Sequence, residues 1–187
     1  MPFTSAQLQA IKAAIIAAPD LNVFPNNGDG NTEVAALLNA PSNPAVMFWD
    51  TRASTATLLD AIDFSRYTQT DAVDGTALQT NRLLAVQTKQ MNIQTILFGR
   101  ESIDMSRATI RASIRDAVIQ IPAGLAGAPV NAGGANGVNV LNAGRRVGTR
   151  LEALLAAGSA ATGGVTASLY GYEGSINYQE VEAARNI

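Results

Sequence analysis

The stretch from Asp74-Gly75-Thr76 to Gly99 constrains the fold more than any other part of the chain. Leu83, Val86, Gln90, Ile93 and Leu97 fall on one helical stripe, and Leu84 and Met91 fall on a second. A helix with apolar groups on two sides needs more than one neighbour. The predicted helix, running to about Phe98, therefore calls for a packed assembly of helices. Composition sets the character of that packing. Apolar residues make up 47 % of the 187 residues, much of it alanine, and aromatics only 5 %. Such a core is built by close helix approach rather than by large side chains.

Further helices are expected on both sides. Thr4 or Ser5 caps one that runs to about Ala18, with Leu8, Ile11, Ile15 and Ile16 on its apolar face and Pro19-Asp20 as its stop. A turn-rich loop from Phe24 to Gly30 follows, and Asn31 or Thr32 caps a short helix carrying Val34, Leu37 and Leu38. Pro41 and Pro44 bracket a loop, and Ala45 to Trp49 reads as a strand or a buried anchor. Ser54 or Thr55 caps a short helix with Leu58, Leu59 and Ile62. Asp104 or Ser106 caps another, to about Ile121, that turns Ile110, Ile114, Ala117 and Ile121 inward. Residues 122–138 are rich in Gly, Ala, Pro and Asn and are expected to form a long flexible or partner-ordered loop. A helix from about Asn139 to Ala157 comes next, with Gly144 and Gly148 one turn apart for close packing, and then a flexible link at 158–164. Val165 to Tyr172 favours a strand, which Glu173-Gly174 can turn into a second strand at 175–178, and Gln179 to Arg185 reads as a terminal helical turn. The expected fold is mainly α: a helical bundle with long flexible loops and a C-terminal β-strand or hairpin arm. Residues 1–157 would form the body and 158–187 the linker and arm.

The residue inventory argues against conventional catalysis. There are no cysteines and no histidines, which removes disulfides, thiol chemistry, the usual zinc ligands and the commonest general base. Asp60 and Asp63 could share a helix face, but nothing near them in sequence completes a hydrolase or metal site. The Asn26–Asn31 stretch lacks the alternating ligands and closing glutamate of a calcium loop. Gly133–Gly137 lacks the lysine of a phosphate-binding loop. No enzyme activity, cofactor or metal is expected. A formal net charge of −2 gives no global field for nucleic acid or membrane. No run approaches the roughly 18 apolar residues of a membrane span, and the start Met1-Pro2-Phe3-Thr4 lacks the basic region and apolar run of a signal peptide, so folding in a cytoplasm is expected. Charged residues are only 15 %, which suits a surface covered by neighbours.

Two groups of residues are candidate interfaces. Arg107, Arg111 and Arg115 recur every four residues and form one ridge on a helix. The ridge reads as a solvated face, a salt-bridging seam to another subunit, or a phosphate-facing strip. In the tail, Leu169, Tyr170, Tyr172, Ile176 and Tyr178 supply apolar area and hydrogen-bonding tips suited to strand addition onto a neighbour.

Three stretches carry a family likeness. They are Phe3-Thr4-Ser5-Ala6-Gln7-Leu8-Gln9-Ala10-Ile11-Lys12, then Ala36-Leu37-Leu38-Asn39 with Pro41, Pro44 and Trp49, and finally Tyr172-Glu173-Gly174-Ser175-Ile176-Asn177-Tyr178-Gln179-Glu180-Val181 with Ala183, Ala184 and Arg185. The chain resembles the head–tail connector (adaptor or neck) proteins of tailed bacteriophages. That resemblance implies a virion protein of the neck, assembled in the host cytoplasm. It further implies a homo-oligomeric, twelvefold ring beneath the portal protein, in contact with a tail or nozzle protein. DNA would pass through the ring without sequence-specific binding. The alternative within the virion is a tail-completion or capsid-decorating protein.

Overall fold

The computed structural model describes residues 3–64, 77–119 and 133–187. Residues 122–132 of the loop expected at 122–138, and the helix start expected at Asp74-Gly75-Thr76, lie outside the described residues, while 133–138 are corrected from loop to helix. The element order is α1 (Ser5–Ala17), α2 (Pro19–Asn22), α3 (Gly28–Asn39), β1 (Met47–Trp49), β2 (Ala53–Ser54), α4 (Thr55–Asp60), α5 (Ala77–Leu97), β3 (Ser102–Ile103), α6 (Ala108–Val118), α7 (Gly133–Ala143), β4 (Arg145–Val147), α8 (Arg150–Leu154), β5 (Ala156–Thr162), β6 (Val165–Tyr170) and α9 (Tyr178–Asn186).

This is a mixed α/β fold, which corrects the expected mainly helical bundle. A four-stranded sheet has the order β4-β1-β6-β5, and β2 and β3 form a two-stranded antiparallel sheet. β1 pairs parallel to β6 with Phe48 opposite Ser168. β5 and β6 are joined by Gly163-Gly164, both at positive φ (56° and 84°), the conformation a tight two-residue hairpin turn demands. The helix expected over 139–157 is instead the end of α7, then β4 and α8, and the start of β5. Gly144 ends α7, and a strand follows because Gly144 and Gly148 sit where side chains of other elements press in. A Cβ at Gly144 would come within 2.5 Å of Met105 Cε, and one at Gly148 would collide with the Phe48 ring. Thr149 then restarts a helix with a reciprocal cap: Glu152 N donates to Thr149 Oγ1 at 3.1 Å, and Thr149 N donates to Glu152 Oε2 at 2.9 Å.

The expected C-terminal arm is also corrected. Val165–Tyr170 lies inside the sheet between β1 and β5, and 175–178 makes no second strand. Instead Asn177 caps α9. Asn39 takes the place of a strand partner, because its Oδ1 accepts from Ile176 N at 2.9 Å and its Nδ2 donates to Ile176 O at 2.8 Å. α3 starts earlier than its pattern suggested. Asn27 is the cap, accepting from Gly30 N at 2.8 Å, and Gly30 lies so close to the Pro25 carbonyl that only glycine fits.

The chain divides into two compact units, and both draw on residues on each side of position 157. The first comprises residues 1–48, 147–160 and 167–187. Its core joins Ile11, Ile15, Leu21, Val34, Leu38 and Leu151 to Ile176, Val181 and Ala184. α9 packs on both α1 and α3, and α8 packs on the same two helices. Buried Glu152 also accepts from Gly174 N at 3.3 Å, so one carboxylate fixes two loops. The second unit comprises residues 49–146 and 161–166. There α6 packs on α5 and α7, and α4 packs on α7. Its core holds Trp49, Leu58, Ile93, Met105, Ile114 and Leu141.

Candidate assembly surfaces

The arginine ridge does not survive as one surface. Arg107 is the exposed N-cap of α6 and makes no side-chain cap bond. Arg115 is partly exposed, and its Nη1 lies 3.5 Å from Asp116 Oδ1. Arg111, only 2 % exposed, turns into the second unit. Its Nη1 donates to the carbonyls of Met105 (2.7 Å) and Ser106 (2.6 Å), and its Nε donates to Thr162 Oγ1 at 3.0 Å. The guanidinium sits 4.5 Å from the Trp49 ring centroid, a cation–π contact. Burial lowers the Arg111 pKa from its ordinary value, while the negative charge of Asp104 acts in the opposite direction. The planar fork of donors meets groups in several directions at once, a role a lysine cannot reproduce. In this chain Arg111 is a buried tie, and it offers no donor fork to a neighbouring subunit.

The tail residues separate in the same way. Ile176 is 3 % exposed and belongs to the first unit's core. Tyr170 stacks on Phe48 with centroids 4.6 Å apart and an interplanar angle of 17°. Tyr172 lies 4.4 Å from Phe3 and donates its hydroxyl to Ser175 O at 2.9 Å. Burial raises its pKa, assisted by the charges of Glu180 and Glu152. Leu169 is half-buried. Tyr178 alone of the five is exposed, at 46 %.

Two further surfaces stand out, the first unread in the sequence and the second read only as an apolar stripe through Leu84 and Met91. β5 forms an outer edge of the four-stranded sheet and consists of Ala, Gly, Ser and Thr, largely exposed. The second is the outer face of α5, where Leu84, Met91 and Phe98 stand 54 %, 64 % and 84 % exposed. Beside it lies a groove of about 330 Å³ lined by Leu59, Phe64, Ile93, Leu97 and Phe98. The signal for this face was present, because Phe98 follows Met91 by the same seven residues that separate Met91 from Leu84.

Among the described residues, no group of three or more acidic side chains is placed to hold a metal ion, and no helix is long and apolar enough to cross a membrane. No family model matches the chain, and no curated protein or solved structure matches it either.

Proposed function

We propose that this chain is a structural virion protein, a subunit of the head–tail connector of a tailed bacteriophage, assembling as a ring on the portal and leaving a channel for DNA. The observation that carries this reading is where the three family-like stretches lie. Trp49 apart, all of them belong to the first unit and pack against one another. Phe3 from the first stretch packs its ring, tilted by 31°, against Tyr172 from the third. Asn39 from the second clasps Ile176. α9 from the third packs on α1 and α3. Three segments far apart in sequence thus form one module, which supports reading them together as one unit.

The test is to mix the protein with purified portal rings and weigh the complex by native mass spectrometry. A connector adds a ring of copies matching the portal's symmetry. A capsid-decorating protein leaves the portal bare and binds heads in hundreds of copies. Tyr178 is the candidate contact that remains on the outside, with Arg107 and Arg115 as charged candidates on α6. Tyr178→Ala is expected to weaken portal attachment while shifting thermal stability by no more than about 0.5 kcal/mol, as for other exposed sites. Equal attachment by the variant and the parent would remove Tyr178 from the interface.

A further inference from the structure

On a helix with about 100° per residue, Leu84, Thr88, Met91, Thr95 and Phe98 all fall within an arc of about 80°, and Val86, Ile93 and Leu97 fall opposite. The structure follows that division: the first five are exposed and the last three are buried in the second unit. The spacing of the exposed set is 4-3-4-3, the seam of a coiled coil. Both threonines complete the stripe rather than interrupt it. Thr88 Oγ1 donates to Leu84 O and Thr95 Oγ1 donates to Met91 O, each at 2.8 Å, so the hydroxyls are satisfied within the helix. From Leu84 to Phe98 the one charged residue is Lys89, and its ammonium donates inward to Asp116 O. The seam is flanked by Gln87, Asn92 and Gln94, all neutral and exposed.

We infer that this face of α5 is a self-association seam, and that its occupant is the α5 of a second copy of this chain. A pair related by a twofold axis places each residue against its own copy or its mirror position, so the surface must be complementary to itself. A charged partner finds nothing to pair with on this face. A second copy meets an apolar stripe of the same period, flanked by amides that donate and accept equally well toward one another. Met91, at the centre, meets Met91 whether the helices run parallel or antiparallel. The seam spans about 22 Å, short enough to give a reversible dimer rather than a permanent one. This goes beyond the connector reading. A closed ring joins unlike faces, whereas the α5 pair joins like faces and so belongs to the free protein.

The absence of cysteine from the chain allows a clean test on the full-length protein. Sedimentation velocity is expected to show a concentration-dependent dimer. Leu84→Glu and Phe98→Glu are expected to raise its dissociation constant about tenfold or more each, with unchanged melting curves because both side chains are exposed. Oxidised Met91→Cys is expected to form a disulfide-linked dimer about tenfold faster than Ala183→Cys, a surface control on α9, because pairing raises the effective thiol concentration. A protein that stays monomeric at every concentration overturns the proposal, whether another partner or a segment of the same chain covers the stripe. So does a dimer that persists in Phe98→Glu, or a Met91→Cys variant that links no faster than the control. Portal binding by a monomeric protein would sink the seam and leave the connector reading standing. A dimer that ignores portals would do the reverse.

Discussion

A chain ending at Gly164 is expected to lose the fold of its first unit outright. The deletion takes β6, the strand between β1 and β5, and α9, which packs on α1 and α3. Ile176, Val181 and Ala184 leave the core, as do the Asn39 clasp on Ile176 and the Glu152 bond to Gly174. Full burial of each large aliphatic side chain contributes about 1.5–3 kcal/mol, against a total stability of about 5–15 kcal/mol for a typical domain. The remaining helices of that unit cannot close a core. Circular dichroism and limited proteolysis check this: cleavage is expected throughout residues 1–48. A truncated chain that melts cooperatively with these residues protected would mean that the C-terminal segment is an appendage after all.

Arg111→Ala is expected to cost about 3–5 kcal/mol, by leaving a cavity against Trp49 and stripping donors from the buried carbonyl of Met105 and the part-buried one of Ser106. Arg111→Lys keeps a charge but cannot fork, and should recover only part of that loss. Arg107→Ala should change stability by about 0.5 kcal/mol or less. Urea titration followed by fluorescence separates the three variants, and Trp49, the single tryptophan, reports from the contact itself. An Arg111→Ala protein as stable as the parent would show that the guanidinium is dispensable to the second unit and would return it to the list of interface candidates.

The contrast among these arginines shows what was legible. Period-four spacing places Arg111 and Arg115 on the same helix, with Arg107 as its extended N-cap rather than a helical residue, but the burial of Arg111 depends on Trp49 and Thr162, both about fifty or more positions away in the chain. Some helix starts were readable, since Thr4 caps α1 and Ser54 caps α4 as expected, but Asn27 rather than Asn31 or Thr32 caps α3, and Arg107 rather than Asp104 or Ser106 stands at the N-cap of α6. The two apolar sides of α5 were readable too, and only the structure could show that one of them is left outside. β5 carried no strand signal. Ala156–Thr162 lacks aromatic residues and its one β-branched residue is at its end, so its conformation comes from pairing with β6 rather than from propensity. The helix expected over 139–157 failed for the same reason: its apolar period was real, but close packing at Gly144 and Gly148 against Met105 and Phe48 overrode it.

The clasp between Asn39 and Ile176 also sets a timetable. A ribosome adds about 5–20 residues per second, so α1, α2 and α3 emerge on the order of ten seconds before α9 can reach them. For that interval the apolar faces of α1 and α3 lack the α9 surface that covers them in the finished fold. A unit whose α1 and α3 wait for residues 172–186 cannot close its core before those residues have been made. Fragments from interrupted synthesis would therefore be excluded from any assembly that recognises the finished first unit.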